Sequence, residues 1–233
     1  MRIPLYIEMD GKKVVVIGGG GVGTSRARKF LEYGARVVVV SLDFSAELKK
    51  LEKEGKVELI SGDATNVSFL EEIVKDSFMV VVAVGSRDVN EVVDKLAEKY
   101  GFLKNFANDA ERTEVVVPFE GEVEGIRFAV TTEGKSGIVA RIVRDRIKEA
   151  IRSDEKTLNL LKAMDFFKRY MKEENVPVDV RMKMYFAISS DEKFLELIKS
   201  GKVEEAKNYA VKFLREYLSG ARDVDESKVR IRF

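Results

Sequence analysis

The chain has 233 residues, 45% apolar and 35% charged, which is enough to bury a full core in one large domain with a smaller one beside it. Its 41 basic and 40 acidic side chains leave a net charge of +1, so composition supplies no electrostatic footprint for nucleic acid. With no Cys and no His, the chain excludes disulfides, thiolate nucleophiles, Cys- or His-ligated metal and a Ser-His-Asp triad, and proton transfer falls to carboxylates, Lys, Tyr or water.

The longest apolar runs, such as Val37 to Val40 and Phe78 to Val84, fall well short of the roughly 18–20 residues that span a bilayer. No basic-then-apolar leader opens the chain, so neither export nor membrane insertion is expected and the cytoplasm is the expected compartment. High charge without Cys or Trp also suits a thermophilic source.

Taken in order, Lys13 to Ile17 is a continuous apolar strand, Val22 to Tyr33 has helical spacing ending at Gly34, and Arg36 to Val40 is a second buried strand. Helices are predicted over Ala46 to Glu54, Val67 to Lys75 and Val89 to Tyr100, with strands at Val57 to Ile60 and Phe78 to Val84. This alternation implies an α/β, Rossmann-type parallel sheet covered on both faces. From about Glu114, two β-rich segments around a Gly-containing turn predict an antiparallel pair. Gly137 to Arg152 is helical, and Asp154 to Leu218 reads as helices broken at "ENVPVDV" and "SSDEK". The charged tail "ARDVDESKVRIRF" reads as a loose end carrying a strand-like "KVRIRF". The expected divisions are a parallel-sheet domain over 1–113, a β pair plus helix over 114–152 and a helical domain over 153–233.

The stretch "VVVIGGGGVG" places Gly18, Gly20 and Gly23 in a G-x-G-x-x-G pattern directly after a strand and opening a helix. One glycine permits the tight turn, one lets a pyrophosphate approach the backbone, and one allows close packing of helix on sheet. The helix N-terminus, with Gly21 and Val22, then presents free N–H groups to the phosphates. The competing reading is a turn needed only for packing. At the end of the second strand stand Ser41 and Asp43: Asp43 either reaches an adenosine ribose hydroxyl or caps the helix that starts near Ser45. No Arg immediately follows that strand to accept a 2′-phosphate, which favours NAD over NADP. In "VGSRDVN", Gly85, Ser86 and Asn90 either line the same crevice or cap the following helix.

Several blocks in this order resemble the siroheme synthase N-terminal family, the precorrin-2 dehydrogenases: "IPLYIEMDGKKVVVIGGGGVGTSRARKFLEYGARVVVVS", with a short Pro-containing lead strand, then "VVVAVGSRDVNEVV", "NFANDAERTEVVVPF" and "TTEGKSGIVARIVRDRI". The likeness covers about Ile3 to Ile151, and its last two blocks are ones that nucleotide-binding domains in general lack. It implies NAD-dependent oxidation of precorrin-2 to sirohydrochlorin on the way to siroheme, in a homodimer whose central segments intertwine; some relatives also insert iron or cobalt. It makes Asp109 the catalytic candidate and Asn108 a possible orienting group, with Asn108 standing where many relatives carry the acid. An Asp in such a loop also serves as a turn-former.

A polycarboxylate substrate calls for cations. "GKS" at Gly134 to Ser136 opens a helix containing Arg141 and Arg144, so Lys135 and Ser136 either hold substrate carboxylates or close the dimer interface, and Arg141 is a further candidate substrate contact. A cap followed by a solvated basic face is the plainer account of the arginines. The motif is not a Walker A, because Ala129 stands where the first glycine is required. No metal site is expected, and chelation is doubted because Asn108 replaces the acid. A rival likeness is to the nucleotide-sensing domains of potassium transport systems, carried by "ISGDATNVSFLEEIVKDSFMVVVAVGSRDVN"; such a module binds NAD or nucleotides without turnover.

Overall fold

A computed structural model describes residues 2–224. The chain divides into two compact units: the first runs to Pro118 and takes back Thr131–Gly137, and the second holds Phe119–Val130 and the described residues from Ile138 onward. The chain therefore leaves the first unit at Pro118, returns at Thr131 and leaves again after Gly137.

The first unit is a parallel sheet of β1 (Lys13–Gly19), β2 (Arg36–Phe44), β3 (Val57–Ser61), β4 (Met79–Val82) and β5 (Leu103–Phe106), in the order β3-β2-β1-β4-β5. Between them run α1 (Gly21–Glu32), α2 (Ala46–Lys53), α3 (Val67–Val74) and α4 (Arg87–Tyr100). Strand side chains alternate between faces, so Val14 and Val16 join Ala27, Phe30 and Leu48 beneath α1 and α2. Val15 and Ile17 join Leu70, Val74, Val93 and Leu96 beneath α3 and α4. Each buried Val or Ile contributes roughly 1.5–3 kcal/mol relative to exposure, which explains why β1 is apolar without alternation.

The second unit contains a hairpin and four helices packed on one another. The hairpin pairs β6 (Phe119–Val123) with β7 (Ile126–Val130) through Glu124 and Gly125, both at positive φ as a two-residue primed turn requires. After α5 (Gly137–Ser153) come α6 (Glu155–Glu173), α7 (Val178–Ser189), α8 (Glu192–Lys199) and α9 (Val203–Leu218). Phe167, Met184, Phe194, Ile198 and Leu214 form their shared core. Asp154 and Asp191 start α6 and α8 by accepting backbone N–H bonds from Thr157 and Phe194.

Four expectations need adjustment. The lead segment over residues 2–9 forms no strand, and its Ile3 and Leu5 are exposed. The first strand of the antiparallel pair starts at Phe119, not near Glu114. Glu114 and Val115 both donate their backbone N–H to the Lys104 carbonyl, while Val115 and Val117 pack against the sheet core, so this stretch meets the parallel sheet and not the hairpin. β5 is an additional strand: only four residues long and carrying Lys104 and Asn105, it has no apolar run to announce it. β2 continues four residues past Val40, to Phe44, which pairs with Gly19 across a register shift in β1. The "KVRIRF" segment lies outside the described residues.

Candidate functional site

β1 and β4 are sheet neighbours although β2 and β3 lie on the other side of β1, so the strand order reverses between them, where open α/β sheets bind ligands at their carboxyl ends. A cavity of about 470 Å³ lies there, lined by Gly18, Gly19, Gly20, Ser41 through Ser45, Ala83 and Val84. Its wall is partly apolar, and Leu42, 72% exposed, is left without core burial.

The glycines of the loop have different reasons to be there. A side chain on Gly23 would collide with the Gly18 carbonyl oxygen, so its absence lets α1 close on β1. A side chain on Gly19 would strike the Asp43 carbonyl oxygen, because the extended end of β2 runs directly over it. The motif leaves position 19 open; only the long β2 makes it demanding. Gly20 and Gly21 are exposed, with open space where a side chain would go. Gly20 is the N-cap of α1 and supplies no side-chain cap, and the first turn carries no acid, so the helix N-terminus with exposed Val22 is suited to an anion.

Ser45 resolves one ambiguity: its hydroxyl accepts from the Leu48 N–H and caps α2, so Asp43 is not the cap. Ser45 also contacts Thr24 Oγ1 at 2.8 Å, joining the starts of α1 and α2. Asp43 is exposed on the cavity lining, and no Lys or Arg is among the residues lining that cavity. The cradle thus fits a dinucleotide: close backbone approach, an uncapped helix start, and an acid on a cavity lining that includes no Lys or Arg.

On the β4 side, Ser86 caps α4 through the Val89 N–H at 3.4 Å, and Gly85 is exposed with open space around it. Asn90 is only 1% exposed; its Nδ2 donates to Asn108 Oδ1 at 3.2 Å, and its own Oδ1 is buried without a partner. Asn108 itself is exposed, and the half-buried Asp109 follows it. Asp109 Oδ1 accepts from the backbone N–H groups of Glu111 and Arg112 at 3.2 and 3.1 Å, closing a turn. Among the described residues no hydrogen bond reaches its Oδ2.

That turn is pinned from several sides. Thr113, buried, accepts the Phe106 N–H at its Oγ1, and Asn105 donates to the Val115 carbonyl at 2.7 Å. Asp94 accepts from both Lys104 and Arg112. Burial works to raise the Asp94 carboxyl, but the hydrogen bonds from Lys104 and Arg112 outweigh it and hold it below the ordinary carboxylate value.

Lys135 is exposed, and its backbone N–H reaches the Thr132 carbonyl; Ser136 donates its N–H to Thr132 Oγ1 at 2.8 Å. Gly134, directly before Lys135, has φ +85° and lies so close to Ala110 that a side chain there would come within 2.5 Å of the Ala110 Cβ. The structure therefore brings the Asp109 turn and the Lys135 turn together although the hairpin separates them in sequence. Arg141, exposed, and Arg144, which donates to the Glu120 carbonyl at 3.2 Å, lie on α5 in the second unit. Arg2 has no motif to mark it, yet it contacts both turns. The "GDAT" block is a local turn, in which Asp63 Oδ1 accepts from the Thr65 N–H and hydroxyl.

A loop-cradled cavity at the switch point of a parallel sheet defines a dinucleotide-binding protein, and residues 5–119 match a family described as "Putative NAD(P)-binding". A relative from Methanocaldococcus jannaschii, named "Putative precorrin-2 dehydrogenase", is 30% identical over 200 residues, which cover 84% of this chain and 94% of the relative. "Siroheme synthase 3" of Aeromonas hydrophila is 27% identical over 146 residues, covering 63% of this chain and 30% of that longer protein. The solved structure titled "SirC, precorrin-2 dehydrogenase" matches with a TM-score of 0.68 at 22% identity, covering 91% of this chain and 100% of that one, and so shares the fold. The chain belongs to the family of precorrin-2 dehydrogenases and siroheme synthase N-terminal regions.

Proposed function

We propose that this protein is an NAD-dependent oxidoreductase acting on CH–CH bonds, which converts precorrin-2 to sirohydrochlorin in siroheme biosynthesis. The observation that carries the reading is the glycine-lined cavity at the β1/β4 switch point, in a chain that belongs to this family and has Asp109 presented on the turn after β5. Precorrin-2 loses one hydrogen as a hydride, with the electron pair of its C–H bond, and a second as a proton. NAD⁺ supplies the hydride acceptor.

The chain's own residues divide the remaining work. The N–H groups at the start of α1 hold the pyrophosphate, and Asp43 accepts from a ribose hydroxyl. Gly85 and Ser86 border the crevice from the β4 side. Asp109 Oδ2 accepts the proton while its Oδ1 is held by two backbone amides, which fixes the carboxylate's direction. Asn108 orients the turn through Asn90. Lys135 and Ser136 hold substrate carboxylates, and Arg141 adds a cation. The protein acts as a cytoplasmic homodimer; the exposure of Ile3, Leu5, Ile138 and Ile142 supports an assembly that covers them. The domain plan of a cofactor domain over 1–113, a dimerisation segment over 114–152 and a helical domain over 153–233 accompanies this reading.

The decisive assay gives purified protein anaerobic precorrin-2 with NAD⁺ and follows sirohydrochlorin and NADH together. The expected result is equal formation of both; cofactor binding without NADH formation would favour a sensing module. We also infer a dehydrogenase without useful chelatase activity, because Asn108 offers no carboxylate to strip pyrrole protons or guide a metal. Iron or cobalt insertion into sirohydrochlorin should not exceed the spontaneous rate.

A further inference from the structure

The guanidinium of Arg2 is engaged on two turns at once. Its Nη1 pairs with Glu133 Oε2 at 2.5 Å, and its Nη2 donates to the Ala110 carbonyl at 2.8 Å and the Thr113 carbonyl at 2.6 Å. Ala110 and Thr113 belong to the turn that carries Asp109; Glu133 belongs to the turn that carries Lys135 and Ser136. The two turns also touch directly, at Gly134 against Ala110. Glu133 itself sits at φ +53°, a conformation that a non-glycine residue holds only with support from its surroundings.

We propose that Arg2 is a positioning residue that sets the spacing between the proton acceptor and the substrate-carboxylate turn. The inference rests on the dehydrogenase reading above and extends it to a residue that touches neither cofactor nor reacting atoms. Arg2 is not a substrate cation, because its fork is already spent on one carboxylate and two carbonyls. A planar guanidinium can span these acceptors together; a Lys ammonium is a single point and must choose between them. The active arrangement thus depends on a residue 131 positions from Glu133.

The test compares the full chain with its Arg2→Ala, Arg2→Lys and Glu133→Gln variants. The two turns are followed by amide hydrogen exchange at Glu111, Arg112 and Ser136, and function by precorrin-2 kinetics and NAD⁺ titration. Arg2→Ala should lose protection in both turns together and lower kcat about tenfold to a hundredfold, the scale of a misplaced catalytic group. NAD⁺ affinity should stay unchanged. Arg2→Lys should recover little of the loss, and Glu133→Gln should show the same pattern more weakly. Wild-type protection in both turns of Arg2→Ala, or loss in one turn alone, would overturn the clamp whatever the activity. Unaltered kinetics, full rescue by Lys, or an equal loss of NAD⁺ affinity would overturn it too. An inactive wild-type enzyme would count against the dehydrogenase reading, while the exchange measurement would still decide the clamp.

Discussion

Asn90 Nδ2 donates to Asn108 Oδ1 across 3.2 Å, tying the first turn of α4 to the turn that presents Asp109. Because Asn90 is almost wholly buried and its Oδ1 lacks a partner, this amide serves the turn at some cost in buried polarity. Asp109→Ala should therefore lower dehydrogenation by about 10²–10⁴-fold, the range for losing a positioned base. Asn108→Ala should cost less, and Asn90→Ala should resemble Asn108→Ala, since each breaks the same bond. Single-turnover NADH formation with saturating NAD⁺ checks the order; a fully active Asp109→Ala enzyme would remove Asp109 from its role.

The glycine loop separates binding from folding. Gly20→Asp enters open space, so the variant should fold normally and fail to bind NAD⁺ in titration calorimetry, with a charge where the pyrophosphate lies. Gly23→Ala meets the Gly18 carbonyl and Gly19→Ala meets the Asp43 carbonyl, so both should lower the thermal midpoint as well. Full NAD⁺ affinity in Gly20→Asp would contradict the placement of the cofactor.

Asp43 should set cofactor choice. It lies on the cavity wall with no Lys or Arg among the lining residues, so a 2′-phosphate there meets repulsion without compensation. Asp43→Asn should narrow the preference for NAD⁺ over NADP⁺ chiefly by improving NADP⁺ binding. Unchanged affinities for both would show that the carboxylate faces solvent.

Asp94 predicts a pH response. Its carboxyl is held below its ordinary value by Lys104 and Arg112 against the opposing effect of burial, so it binds protons less readily folded than unfolded. Its contribution is present above the unfolded value, near about pH 4, and is lost as pH falls through the lower folded value. The stability gap between wild type and Asp94→Asn should be widest near neutrality and close in acid. Denaturant melts across that range would show a constant gap if the network were irrelevant.

The parallel sheet, its flanking helices and the glycine loop were legible because each is written in a short window: apolar runs for strands buried on two faces, helical spacing between them, and glycines at a strand-to-helix junction. The cap at Ser86 follows from equally local chemistry, whereas at α2 the sequence offered Asp43 and the structure gives the cap to Ser45. What the chain does with distance was not legible. β5 becomes a strand because β4 offers it an edge, and Glu114–Val115 turn to that same sheet, not to the hairpin, because the Lys104 carbonyl accepts both amides. Gly19 must be glycine only because β2 overruns its expected end. The meeting of Arg2, Ala110 and Gly134 needs three segments folded against one another. Backbone propensity and periodicity act over a few residues and so can be read along the chain; hydrogen bonds and steric limits between remote segments exist only once the tertiary structure has brought their atoms together.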